Sequence, residues 1–248
     1  ASDIPALLKY TKDMYLIEND EVVVLTKDNV TIYNGIGQEV NHDIFRVTWD
    51  VDAAEKGGYE HFMMKEICEQ PQGVANTLLR RLDKEDNIVL DGIKLTESDL
   101  EQINKIYIVA CGTAYHAGLV GRYAIECLAD IPVEVEIASE FRYRKNFIDS
   151  KTLMIVISQS GETLDTLAAL REAKKSNARI LSVVNVVGSS VARESDDVLY
   201  TWAGPEIAVA STKAYSTQLT AMYVIALYIA KLKKTISADQ YRKVLSEL

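Results

Sequence analysis

Apolar residues run unbroken at 106–110, 153–157 and 180–184, and each run gives way to a turn of small, polar or glycine residues and then a helix-compatible segment. Repetition of strand, turn and helix describes βαβ units. Strands apolar on both faces belong in a parallel sheet covered by helices. Residues 133–137, Val-Glu-Val-Glu-Ile, alternate instead, as a strand does at a sheet edge with one wet face. Residues 198–202 supply a fifth strand, and helices are expected over 115–128, from 164 to about 174, and over 214–232. The expected fold class is α/β: a flavodoxin-like three-layer α/β/α sandwich with a five-stranded parallel sheet, covering 105–235.

Upstream the pattern changes. Residues 21–25 and 30–33 are short β-branched runs around the polar turn Lys27-Asp28-Asn29, which predicts a small N-terminal β-hairpin. Two strands make no stable sheet alone, so the hairpin is expected to be the tail of a larger domain. A polar connection runs through Asn41 and Asp50 to Gly57-Gly58. Linker helices follow. One at 61–69 stops before Pro71, which disfavours helix at the residue ahead of it. The spacing of Val74, Leu78, Leu79 and Leu82 predicts another, and Thr96 with Asp99 has the spacing of a capping box for a short helix at 96–102.

Composition narrows the function. With 248 residues and 48% hydrophobic content the chain can bury a sizeable core. A formal net charge of −9 disfavours nucleic acid and anionic membrane surfaces as partners, since both need a surplus of Lys and Arg. The most apolar stretch, 219–232, is shorter than the ~20 residues that span a bilayer, and is read as a buried helix. Cys68, Cys111 and Cys127 are scattered and odd in number, with no metal spacing, which fits a reducing, cytoplasmic setting. His42, His61 and His116 join no constellation; His116 is expected to be a structural, hydrogen-bonded residue, and Cys111 a packing residue. The opening Ala1-Ser2-Asp3 and the stop just after a helical pattern are both expected to be cuts in a longer chain.

Ligands of open parallel sheets bind at the carboxyl ends of the strands, so the residues after each apolar run carry the chemistry. The first such loop is Cys111-Gly112-Thr113-Ala114. Gly112 permits close backbone approach and Thr113 either caps the helix or offers its hydroxyl to an anion at the helix N-terminus. The second, Ser158-Gln159-Ser160-Gly161-Glu162-Thr163, is more specific: it holds three hydroxyls and an amide where a helix N-terminus already favours a phosphate. A cap needs one hydroxyl, and this turn has three. The third spans 204–213, with Ser211 or Thr212 expected to cap the long helix. Lys213 is electrostatically unfavourable at a helix N-terminus unless an anion or a carboxylate sits beside it. No G-x-x-x-x-G-K-[ST] and no G-x-G-x-x-G occurs after a strand, so nucleotide binding is disfavoured and a small phosphorylated metabolite is expected.

These loops resemble the sugar isomerase (SIS) domain family, and within it the family of glutamine-fructose-6-phosphate aminotransferases. The resemblance is carried by V-A-C-G-T-A at 109–114, S-Q-S-G-E-T at 158–163, A-G-P-E-I-A-V-A-S-T-K-A at 203–214 and E-I-C-E-Q-P at 66–71. It implies a domain plan: 1–40 as the end of a glutaminase domain, 41–104 as linker and helical lead-in, 105–235 as the first SIS subdomain, and 236–248 as the start of a connection to a second. The reaction implied is conversion of fructose 6-phosphate and glutamine to glucosamine 6-phosphate and glutamate, with no organic cofactor and no metal, in a homodimer joined through the SIS region. Carried over by motif, Ser158, Gln159, Ser160 and Thr163 bind the sugar phosphate. Gly112, Thr113, Val209 and Ser211 surround the sugar, and Lys213 is a further candidate. Where the family often has serine this sequence has Ala114, which removes a hydroxyl contact. The resemblance places the catalytic groups in the second subdomain, so no catalytic residue is assigned here. A non-catalytic sugar-phosphate sensor and a plain sugar-phosphate isomerase are the alternatives.

Overall fold

The computed structural model describes Leu7, residues 10–47 and residues 56–248, and divides into two compact units, Ala1–Gly58 and Tyr59–Leu248. The polar connection read through Asp50 falls outside the described residues. In the first unit β1 (Asp13–Met14) pairs antiparallel with β5 (Phe45–Arg46), while β2 (Val22–Leu25), β3 (Val30–Tyr33) and β4 (Glu39–Val40) form a three-stranded sheet. The expected hairpin is present, with Val22 opposite Tyr33 and Leu25 opposite Val30. Its turn is closed by Thr26, whose hydroxyl oxygen accepts the Asn29 amide at 3.0 Å. The third strand, only two residues long, was not expected.

The second unit opens with α1 (Phe62–Cys68) and α2 (Gln70–Leu79). Pro71 falls in the first turn of α2, where no intrahelical N–H is needed. That helix stops at Leu79; Leu82, expected within it, instead bridges Ile88. The Thr96–Asp99 capping box starts α3 (Glu97–Gln102) as expected. Then come β6 (Lys105–Ala110), α4 (Thr113–Ala129), β7 (Val133–Ile137), α5 (Ala138–Phe141), β8 (Thr152–Ser158), α6 (Leu164–Lys175), β9 (Arg179–Val184), α7 (Ser190–Glu194), β10 (Asp197–Tyr200), α8 (Lys213–Lys233) and α9 (Ala238–Ser246). Residues 236–248, read as a connection, thus hold a helix, opened by a Ser237–Gln240 capping box.

The five strands pair in parallel in the order β10-β9-β8-β6-β7. Alternate residues of the apolar runs enter opposite layers. Ile106, Ile108, Leu153, Ile155 and Ile157 join the core beneath α4 and α8, whereas Tyr107, Val109, Met154 and Val156 join the core beneath α5 and α6. Burial on both faces is why these strands read as unbroken hydrophobic runs. β7, the alternating strand, lies at one edge as expected. At the other, β10 ends at Tyr200, two residues short of expectation, because Trp202 takes a positive φ of 54° that no strand accommodates. The long apolar segment becomes α8, largely buried against α4. Among the described residues no helix is long and apolar enough to cross a membrane.

Strand order places the site. After β6 the chain adds β7 on one side, then crosses to add β8 on the other, so the carboxyl ends of β6 and β8 flank the point where the winding reverses. Ala110 lies opposite Ile157, which sets the loops that follow side by side. At the carboxyl end of β10, α2 and the residues just after it anchor the departing chain: Thr77 donates to the Thr201 carbonyl and Arg81 to the Tyr200 carbonyl. Burial, and then the neighbouring Arg80 charge, pulls the Arg81 guanidinium down to about 10, which leaves it charged at neutral pH.

α4 lies unusually close to the sheet at Gly118, where an added Cβ would sit 2.8 Å from Ile108 Cγ2 and 3.3 Å from Val135 Cγ1. A Gly118→Val variant is expected to push α4 off β6 and lower stability by about 1–3 kcal/mol. Urea unfolding followed by circular dichroism checks this; an unchanged midpoint contradicts it.

Candidate functional site

The loop after β8 is built around its hydroxyls. Ser158 Oγ accepts the Gly161 amide at 3.0 Å and lies 3.1 Å from Thr163 Oγ1, while Ser160 Oγ accepts the Glu162 amide at 3.2 Å. Gly161 holds φ at +67°, and a Cβ there would lie 2.0 Å from Ser189 Oγ. That turn therefore needs glycine on two grounds, backbone conformation and space. Glu162 reaches across to accept the Ser190 amide at 2.7 Å, and the Gly161 carbonyl accepts the Val191 amide at 3.0 Å, so α7 braces the loop from outside. Thr163 is the N-cap of α6, yet its side chain makes no capping bond. The hydroxyls of this turn are not consumed in capping.

The loop after β6 is short. Gly112, at φ +60°, is the N-cap of α4 and Thr113 its first residue, again with no side-chain cap. Thr113 is exposed and Ala114 is buried behind it.

The third loop is held by carboxylates and an amide. Asn185, at the end of β9, accepts from the Ala203 amide and the Thr201 hydroxyl and donates to the Gly204 carbonyl at 2.7 Å. Glu66, on α1 and 2% exposed, accepts the amides of Ile207 and Ala208 at 2.6 and 3.1 Å. Capping of α8 departs from expectation. Thr212 occupies the N-cap without a side-chain bond, and Glu206 does the work: one oxygen accepts the Thr212 and Ala214 amides at 2.9 and 3.0 Å, the other the Ser211 hydroxyl at 3.1 Å. A carboxylate at a helix N-terminus is favoured by both the free N–H groups and the helix dipole. Lys213 finds the acidic neighbour its position demands, with Nζ 2.6 Å from Glu69 Oε2.

The three loops converge on a cavity of about 220 Å³. Of the expected ligand groups, Thr113, Ser158, Gln159, Ser160, Thr163, Val209 and Ser211 line it, and Gly112 sits between two lining residues. Lys213 does not: it is 2% exposed and paired with Glu69, so it ties α8 to the α1–α2 junction rather than facing a ligand. Cys111, read as packing, both packs on the α5–α6 core and lines the cavity. Sequence reasoning missed Glu206, Ala208 and Gln218 as lining residues. Among the described residues no Lys or Arg lines it, so an anion there would be held by hydroxyls, amides and the open N-termini of α4 and α6. A larger depression of about 640 Å³ lies at the opposite, amino-terminal edge of the sheet. Its central Arg179 is engaged by Asp99 at 3.0 Å and Asp197 at 2.6 Å, and neither helix N-termini nor hydroxyl clusters converge there.

His116 is exposed, with its ring edge-on to Tyr115 at 5.5 Å, rather than hydrogen-bonded in the interior. His42 lies in the first unit, 2.9 Å from Glu21, and His61 is exposed. No group of three or more His, Cys, Asp or Glu side chains among the described residues is placed to hold a metal ion.

Comparison with known proteins bears on the family and the fold. The model of the SIS domain family matches residues 99–228. The glutamine–fructose-6-phosphate aminotransferase (isomerizing) of Clostridium tetani is 61% identical over 248 residues, all of this chain and 41% of that protein. Its counterpart from Caldanaerobacter subterraneus is 58% identical over the same span. The chain therefore covers about two fifths of the length of these relatives. Among solved structures, the C-terminal domain of glucosamine-fructose-6-phosphate aminotransferase from Francisella tularensis superposes with a TM-score of 0.74 at 48% identity, covering 78% of this chain and 54% of that one.

The two constraints on Gly161 separate experimentally. Gly161→Ala is expected to cost about 1–3 kcal/mol through left-handed backbone and overpacking together. Adding Ser189→Gly removes the clash and leaves the backbone part, about 1–2 kcal/mol. Denaturant midpoints of the two variants test this, and a neutral Gly161→Ala contradicts it.

Proposed function

The chain belongs to the SIS domain family, and from that premise we propose that it binds a phosphorylated sugar in the cavity at the carboxyl ends of β6 and β8. The ligands proposed are fructose 6-phosphate and glucosamine 6-phosphate. The chain would serve as the sugar-phosphate-binding part of an enzyme that transfers the amide nitrogen of glutamine to fructose 6-phosphate. The observation that carries this reading is the convergence of α4 and α6 on one small cavity, their N-termini uncapped by side chains and surrounded by the hydroxyls of Thr113, Ser158, Ser160 and Thr163. A phosphate needs several donors directed at its oxygens, and helix N-termini provide them without a formal charge.

In this assignment Ser158, Gln159, Ser160 and Thr163 hold the phosphate. Gly112, Thr113, Val209 and Ser211 contact the sugar. The Glu206 carboxylate is already bonded to two backbone amides and the Ser211 hydroxyl, which leaves it poorly placed to take a proton from a sugar carbon. This chain accordingly binds and orients the sugar, and the proton transfers of the full reaction are assigned to other parts of the parent enzyme. The identity of the longer relatives supports the choice of this reaction over other sugar-phosphate chemistry on the same fold.

Calorimetric titration with glucosamine 6-phosphate tests the assignment. The wild-type chain is expected to bind, and a Ser158→Ala, Ser160→Ala double variant to bind about tenfold or more weakly, since hydrogen bonds to a charged group contribute about 1.5–3 kcal/mol each. Equal affinity of the two proteins removes the loop from the phosphate site.

A further inference from the structure

We propose that Gln218 is a ligand-contacting residue that sets specificity for the polyhydroxylated portion of the ligand, distinct from the loop that holds the phosphate. Gln218 lies in the second turn of α8, is 3% exposed, and lines the cavity. Of the residues one turn away on the same helix, Ala214, Ala221 and Met222 are buried and apolar, and Tyr215 is half-buried and makes no hydrogen bond to Gln218. Neighbouring hydroxyls are engaged elsewhere: Thr217 donates to the Ala214 carbonyl and Ser211 to Glu206.

No hydrogen bond joins the Gln218 carboxamide to any described residue, and it is not among the polar groups sealed away from any space, as Thr212 Oγ1 and Glu66 Oε2 are. Its remaining outlet is the cavity. A carboxamide carries two donors and an acceptor oxygen, and burying it unpaired is unfavourable. A ligand hydroxyl, which both donates and accepts, can pair with either end of the amide, and Gln218 stands on α8, apart from the β8 loop assigned to the phosphate. The chemical class recognised is thus a phosphate monoester of a polyhydroxylated sugar, as against inorganic phosphate.

This inference rests on the cavity being a sugar-phosphate site, so its test carries two ligands. Calorimetry is run on the 248-residue chain with glucosamine 6-phosphate and, separately, with inorganic phosphate, for wild type, Gln218→Leu and Gln218→Met. Both substitutions keep a side chain of similar volume, branched in leucine and unbranched in methionine, and remove the amide, and thermal unfolding confirms that each variant is folded. The expected result is a loss of about fivefold or more in glucosamine 6-phosphate affinity, with inorganic phosphate affinity unchanged. Two changes of different shape giving the same selective loss distinguish recognition from packing. Glucosamine 6-phosphate affinity equal to wild type in either folded variant overturns the role of Gln218, as does an equal loss for both ligands. If wild type binds neither ligand, the reading of the cavity itself fails, and the inference with it.

Discussion

The parallel pairing of β6 with β8, made after β7 has already been laid on the other side of β6, is the constraint from which the site follows. Reversal of the winding direction leaves the two loops beyond Ala110 and Ile157 uncovered by any crossover helix, and each runs directly into a helix N-terminus. The sheet can hold this arrangement because it is buried on both faces: Ile106 and Ile108 face α4 and α8, Tyr107 and Val109 face α5 and α6. Close approach of α4 at Gly118 then fixes where the Gly112–Thr113 turn stands. Sheet packing, helix placement and the juxtaposition of the two loops are successive consequences of one strand order.

The third wall of the cavity depends on a different kind of interaction. Residues 204–212 form no regular element, and three of their backbone amides are bonded to carboxylates: Ile207 and Ala208 to Glu66, and Thr212 to Glu206, which also accepts the Ala214 amide of α8. Glu69 neutralises Lys213 at the start of α8, where a lone cation would oppose the helix dipole. The buried Glu66 and the half-buried Glu206 hold backbone in place, which gives an irregular loop a defined shape without a hydrophobic core of its own. Val209, fully exposed at its tip, stays at the cavity mouth through those anchors.

What could be read in the sequence follows from which interactions are local. β6, β8 and β9 were legible because burial on both faces writes an unbroken apolar run, and β7 because an edge writes alternation. The S-Q-S-G-E-T turn was legible because one short segment contains all its hydroxyls. The anchors of the third loop were not, because Glu66 and Ile207 are separated by 141 residues and Lys213 and Glu69 by 144, and neither pairing leaves a periodic trace. Lys213 showed only as a local electrostatic misfit. Gln218 was hidden because it stands among other polar residues, Ser216, Thr217 and Thr220, and nothing in the local pattern sets apart the one that borders the cavity. The two-residue strands β1, β4 and β5 are too short to carry any pattern, and the early end of β10 goes with the positive φ of Trp202, which no periodicity signals.

A crystal structure of the chain grown with glucosamine 6-phosphate addresses the convergence of helix N-termini directly. The phosphate oxygens should lie within about 3 Å of the Ser158–Thr163 hydroxyls and the first amides of α6, with the sugar directed toward Gly112, Thr113 and Val209. A ligand ordered instead in the depression around Arg179, or a sugar phosphate seated with its phosphate away from the β8 loop, would contradict it.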